Sequence, residues 1–315
     1  MTSTRVEHYV TVFDSWFLPQ GLALHSSLEQ HAGPYMLWIL CMDDDAEQVL
    51  KRLNLPNVRL LSLRNAETPE LLRVKAGRTR AEYCWTLTPV APRLVFEAEN
   101  SASRVTYVDA DLWFRKNPTP LFKELEASGK QVLITDHAYA PEHDKSASSG
   151  QYCVQFMTFT QAGEVVRKWW EDRCVEWCFA RCENGKFGDQ KYLDDWPERF
   201  GEHVHVLEHQ EWTQAPWNAT RFPYSSAVTY HFQGLRLIAK RTVTLGDYPL
   251  PPALMRNVYE PYLDALRKAR SVLAGVGFAP RVLRQRESMF WRLKRRLYGF
   301  YAHLWRVRYH HFRTF

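Results

Sequence analysis

Short apolar runs alternate along the first half of the chain with stretches whose apolar residues recur at helical spacing. Residues 8–13 (HYVTVF), Tyr35–Cys41, residues 58–63 and Arg104–Val108 have strand length and strand composition, which predicts four strands. Between them, residues 19–30 carry Leu22, Leu24 and Leu28 on a helical pattern, and residues 88–97 read as a helix with proline tolerated in its first turn. Residues 118–127 predict another helix and 131–135 another strand. This alternation predicts an α/β fold on a parallel-type sheet. From about residue 150 the pattern is mixed: 161–182 predicts a long helix, and 204–207 and 228–232 predict short strands. The turn-rich GDYPLPP at 246–252 predicts an end to the compact body, dividing the chain into a domain, 1–250, and a helical extension, 251–315.

Composition narrows the class. The chain has 315 residues, 45% hydrophobic and 24% charged, which excludes a mostly disordered or collagen-like protein. No apolar run approaches the ~20 residues that span a bilayer. Six cysteines in so long a chain do not read as a disulfide framework, which predicts a reducing, cytoplasmic setting. The net charge of +6 is unevenly spread: the last 35 residues hold ten Lys and Arg and a single acid, leaving the body at −3. On a helical wheel Phe290, Leu293, Leu297, Phe300, Tyr301, Leu304 and Val307 share one face, with Arg292, Arg295, His303 and Arg306 opposite. This predicts a basic amphipathic tail lying on an anionic membrane surface, which places the protein on the inner face of the cell membrane. The acidic body argues against a nucleic-acid partner.

Asp109-Ala110-Asp111 follows the strand-like VTYV. Two carboxylates at i and i+2 on a strand end share a face and can reach one hard divalent cation. Asp43-Asp44-Asp45 has the same spacing but suits the start of a helix, where acids satisfy free N–H groups. Cys174, Cys178 and Cys182 would lie along one helix face, with the outer pair too far apart for one zinc ion. Trp212 and Trp217 suit either an acceptor groove or core packing, and Asn218-Ala219-Thr220 matches a glycosylation sequon.

Four segments in order carry a family resemblance: YVTVFDSWFLPQGLALHSSL, RVTYVDADLWF, KFGDQKYLDDW and YHFQGLR, spanning residues 9–236. Together they resemble the nucleotide-sugar glycosyltransferases, most nearly the glycosyltransferase family 8-like retaining enzymes. The resemblance implies a single Rossmann-like A-type domain with a mixed central sheet, followed here by the helical tail. It implies that Asp109, Asp111 and His231 hold Mn²⁺ (or Mg²⁺), and that Phe13 and Asp14 border the donor base, commonly uridine. Asp189 and Gln190 would lie beside the reacting sugar carbon, and Gly234 would let the backbone approach phosphate. Arg80 and Arg93, ahead of the acid strand, are candidate contacts to the diphosphate. This sequence departs from the family in carrying Arg236 and Leu237 where a lysine follows His-x-x-Gly, and Cys153-Val154-Gln155 where Asn-Ser-Gly is usual. The implied reaction moves a sugar from a nucleoside diphosphate sugar to a glycan or lipid-linked acceptor. The competing readings are a non-catalytic sugar-nucleotide binder and a metal-dependent phosphoesterase; an inverting enzyme using Asp136 as base is the stereochemical alternative.

Overall fold

The computed structural model describes residues 5–239, 242–282 and 312–314. A seven-stranded sheet forms the centre. Its strands are β1 (Glu7–Phe13), β2 (Tyr35–Cys41), β3 (Val58–Ser62), β4 (Arg104–Val108), β6 (Val132–Asp136), β7 (Tyr152–Thr160) and β8 (Val204–Val206), in the order β3-β2-β1-β4-β7-β6-β8. Neighbouring pairs are parallel except those of β7, which runs antiparallel to both β4 and β6. The sheet is therefore mixed. β1, β2 and β4 are almost wholly buried because helices cover both sheet faces, which is why β2 reads as a continuous apolar run.

Helix α1 (Leu18–His31) packs so closely on β1 that a Cβ at Gly21 would lie 2.5 Å from the Phe13 ring. Helix α2 (Asp44–Leu53) is capped by Asp43, whose carboxylate accepts the Ala46 N–H at 2.8 Å, as expected of the second acidic cluster. The expected helix at 88–97 is Val90–Ala98, preceded by a separate helix, Arg80–Leu87, which a capping box between Thr79 and Glu82 begins. The expected helix through residue 182 stops at Glu176. Arg78 donates to the Val175 carbonyl at 2.7 Å and Tyr192 to the Trp177 carbonyl at 2.8 Å, so tertiary donors take up the helix-end acceptors and the chain turns extended. Cys178 and Cys182 thus lie beyond the helix that carries Cys174; all six cysteines are free.

Two small sheets stand beside the large one. In one, β5 (Leu112–Phe114), β9 (Thr213–Gln214) and β10 (Thr229–His231) follow the order β5-β10-β9. The other has β11 (Leu235–Ala239), β12 (Thr242–Leu245) and β13 (Phe312–Thr314). The core continues past residue 250. Helix Glu260–Gly275 lays Tyr262, Leu263 and Leu266 against one apolar cluster and Ala269 and Leu273 against the cluster under α1. Tyr262 stacks on Phe232 at 3.6 Å. Residues 251–275 are thus packed on the body, while the amphipathic segment expected at 290–307 lies outside the described residues. Among the described residues no helix is long and apolar enough to cross a membrane.

Candidate active site

A cleft of about 700 Å³ runs across the carboxyl ends of β1, β4 and β6, where β7 begins. Such an edge is where open α/β sheets bind ligands. Asp109 and Asp111 leave the end of β4, and β10, paired with β5, carries His231 to them. Ligand atoms of Asp109, Asp111 and His231 all lie within 4.8 Å of one another. His231 Nε2 is 3.1 Å from Asp111 Oδ1 and 3.5 Å from Asp109 Oδ2. Adjacent ligands of an octahedral cation bound at about 2.1 Å lie about 3 Å apart. Two carboxylates and an imidazole at this spacing could hold a divalent cation.

Supporting bonds orient the trio. His231 Nδ1 donates to Gln155 Oε1 at 3.0 Å, which turns Nε2 toward the carboxylates. Tyr107 donates to Asp109 Oδ1 at 2.9 Å, and Arg236 Nη1 lies 3.1 Å from Asp111 Oδ2 while its guanidinium covers the Phe17 ring. Burial works to raise Asp111, but His231 and Arg236 override it and hold the carboxyl well below its usual range. Asp109 moves the other way, because burial outweighs its attraction to His231 and the Asp111 charge adds to it. Burial would lower His231, yet the two aspartates raise it.

On the β1 side, Asp14 lines the cleft and accepts the Trp16 N–H at 2.8 Å. Arg80 bridges Asp14 and Asp43, and Asp43 also accepts from the Ser15 hydroxyl. Burial raises Asp14 despite Arg80. Phe13 reaches the cleft but is 2% exposed, its ring held against Gly21, so it forms floor more than wall.

Asp189 and Gln190 line the opposite side. Gln190 donates to the Ser149 carbonyl at 2.6 Å. The Asp189 carboxylate makes no capping bond to the helical turn after it, and its buried Oδ2 has no hydrogen-bond partner. Burial, then the Asp109 charge, pushes it up to about 7. His137, also on this side, is pushed down to about 4 by burial.

Two expected residues, Arg93 and Gly234, are not among those that line the cleft, although Gln233 and Arg236 near Gly234 are. Arg93 pairs with Glu97 at 2.7 Å and Glu171 at 3.4 Å and does not line the cleft. Gly234, at φ +81°, permits a close approach to Gly246, whose Cα would lie 3.2 Å from an added Cβ. Trp217 lines the cleft, whereas Trp212 stacks on His209 at 4.1 Å, away from it. Asn218 is fully buried and cannot serve as a glycosylation site. Gln155, Tyr107 and Arg236 are the contributors that residue-type reasoning did not assign. Arg236 had a signal, lying two residues beyond Gly234 near the expected cation.

No family model matches the chain. YfnF of Bacillus subtilis (strain 168), an uncharacterized protein, is 32% identical over 250 residues, covering 73% of this chain and 82% of its own. The chain belongs to the YfnF family. YfnD of the same bacterium, also uncharacterized, is 28% identical over 280 residues, 83% of this chain and 89% of its own. Among solved structures, the galactosyltransferase LgtC, in complex with donor and acceptor sugar analogs, aligns at a TM-score of 0.51 and 13% identity over 83% of this chain and 95% of LgtC. GlyE, a glycosyltransferase of Streptococcus pneumoniae TIGR4, aligns at 0.51 and 15% identity over 86% of this chain and 63% of GlyE. This member of the YfnF family therefore has the A-type glycosyltransferase fold.

Proposed function

We propose that the protein is a metal-dependent glycosyltransferase. It moves a sugar from a nucleoside diphosphate sugar, by resemblance a UDP-sugar, to a glycan or lipid-linked acceptor, with retention of configuration. The observation that carries this reading is the convergence of Asp109, Asp111 and His231, from chain segments about 120 residues apart, at one point of the cleft. A fold neighbour supports a sugar-transfer reading in general: LgtC was solved with donor and acceptor sugar analogs, and also as a glutamine-to-glutamate mutant of its active site.

A bound Mn²⁺ or Mg²⁺ would act as a Lewis acid on the donor diphosphate. Asp109 and Asp111 would hold that cation through carboxylate oxygens, and Gln155, bonded to Nδ1, keeps the His231 Nε2 lone pair turned toward the carboxylates. Arg236 adds a positive charge beside Asp111 that suits a leaving diphosphate. On the other flank of the donor, Asp14 and Arg80 offer an acceptor and a donor group to the base or ribose. Asp189 borders the reacting carbon, where its carboxylate stabilises positive charge on the sugar ring as the bond to diphosphate breaks. Retention is supported by the fate of Asp136. This alternative base accepts the Ala138 N–H at 2.6 Å and the Gln151 amide at 3.1 Å and does not line the cleft.

Calorimetric titration with UDP, with and without Mn²⁺, tests the reading. Mn²⁺-dependent binding and slow hydrolysis of a UDP-sugar are expected; cleavage of simple phosphodiesters without UDP binding would replace it with a phosphoesterase. An inverted anomer in the product would reassign Asp189 as a base. Association with an anionic inner leaflet through the basic tail, residues 281–315, is part of the same proposal. Sedimentation with anionic vesicles, comparing the full chain with one ending at Pro280, decides it.

A further inference from the structure

The metal trio and the Asp14–Arg80 pair leave half of the cleft unexplained. The sheet order sets that half apart: β1 brings Asp14, β4 brings Asp109, and β6, two strands beyond β4, ends just before His137. At the usual strand spacing of about 4.8 Å, this displaces His137 about 10 Å from the metal trio. The wall there is aromatic. His137 and Tyr139 stack at 4.7 Å with planes 11° apart. Trp217 stands edge-on to His137 at 5.1 Å and to His231 at 5.6 Å, and Tyr248 follows 6.4 Å from Trp217. The wall is held rigidly: Trp217 Nε1 and the buried Asn218 amide both donate to the His137 carbonyl at 2.9 Å.

The charges of the cleft point the same way. Four Lys or Arg side chains line it. Arg80 pairs with Asp14 and Asp43, Arg236 with Asp111, and Arg281 with Asp45. Lys145 differs: its ammonium sits 5.3 Å from the centre of the Tyr248 ring, and no carboxylate among the described residues pairs with it. A cation over an aromatic ring, with no acid among the described residues paired to it, is a ready partner for an anion.

We propose that this half of the cleft is the acceptor subsite and that the acceptor is an anionic glycan. A sugar ring lies on the Tyr139–Trp217–Tyr248 wall, and a phosphate or carboxylate on that sugar or its neighbour pairs with Lys145. The inference rests on the transferase reading. Sugar rings present apolar C–H faces that aromatic walls cover, and Trp and Tyr combine such a face with a polar handle. A charge-assisted bond to Lys145, which is exposed, then separates acidic from neutral acceptors by about two- to fivefold. The anion can belong to a soluble acidic glycan or to a prenyl-phosphate carrier; both present the same chemistry to the site.

The full chain, with UDP and Mn²⁺ present, is tested in two arms. One uses arrayed neutral, uronic acid-containing and phosphorylated glycans; the other uses a prenyl-phosphate-linked sugar in micelles. Preferential binding of acidic glycans or of the micellar sugar is expected, with a loss of about two- to fivefold in Lys145→Ala. Tyr248→Leu is expected to weaken acidic and neutral ligands alike. The arm that binds names the source of the anion. Undiminished binding by Lys145→Ala, equal binding of neutral glycans, or no binding in either arm overturns the proposal. UDP titration of each protein keeps the two readings apart. A wild-type chain that binds UDP with Mn²⁺ but no acidic acceptor refutes the subsite alone, whereas one that fails to bind UDP removes the transferase reading and the subsite with it.

Discussion

Replacing Asp189 by asparagine keeps its shape and removes its charge. Asp189 is 3% exposed and its Oδ2 has no hydrogen-bond partner. Burial and the Asp109 charge push it up to about 7, against an ordinary value of 3.8. Between those two values the native state keeps a proton that the unfolded chain has released. Stability therefore falls as pH rises through this window, by up to about 1.4 kcal/mol per pH unit. The window is roughly three pH units wide, so the full penalty is about 4 kcal/mol once the carboxylate is ionised in the native protein. Asp189→Asn escapes it. The measurement is urea unfolding of the metal-free protein in EDTA, wild type and variant side by side, from about pH 4 to pH 8. The stability difference in favour of the variant is expected to grow across that range and level off above about pH 7.5. A constant offset from burying the new amide N–H groups cancels in the comparison. Parallel pH profiles would refute the reasoning, since an ionised Asp189 would then be no less stable in the protein than in water.

Four further outcomes are expected. Asp111→Asn removes a ligand and a partner of Arg236, and Mn²⁺ titration by electron paramagnetic resonance should show site binding abolished while the circular dichroism is retained. Gln155→Leu leaves all three ligands but releases the His231 ring, so Mn²⁺ affinity should fall about 10- to 100-fold; unchanged affinity would show that the hydrogen bond does not orient the ring. Gly21→Ala drives a methyl into the Phe13 ring, and the urea midpoint should drop by the equivalent of about 1–3 kcal/mol. Arg93→Ala should leave UDP affinity unchanged in the same calorimeter, because Arg93 pairs with Glu97 and Glu171 away from the cleft.

The parallel half of the sheet was legible because both its faces are covered. Tyr35–Cys41 carries almost no polar side chains, and its run in the sequence, like that of Arg104–Val108, coincides with the strand. The Asp-x-Asp pair was legible from its place at a strand end. β7 was not read as a strand: it is buried on both faces yet carries polar side chains, Gln155 on one face and Thr158 on the other, that only the folded state satisfies. Thr158 shares a hydrogen bond with Thr106 at 2.9 Å, and Gln155 accepts from His231. The helix end at Glu176 was invisible for a similar reason, since the donors that end it, Arg78 and Tyr192, are remote in the chain. Arg93 carried a readable warning in Glu97, four residues on, the spacing of a surface helix pair. The fate of Gly234 depends on Gly246 and could be read only from the structure.

The pairing of β5 with β10 also governs the order of assembly. Asp109 and Asp111 share one strand end and need no distant contact to lie together. His231 reaches them only when β10 docks on β5, closing a loop of about 115 residues, and contacts across so long a separation carry a large entropic barrier. The complete three-ligand constellation is therefore a late product of folding, not a nucleus for it. A cation at this site would stabilise the finished native state by mass action and slow its unfolding, while leaving the early folding rate almost untouched.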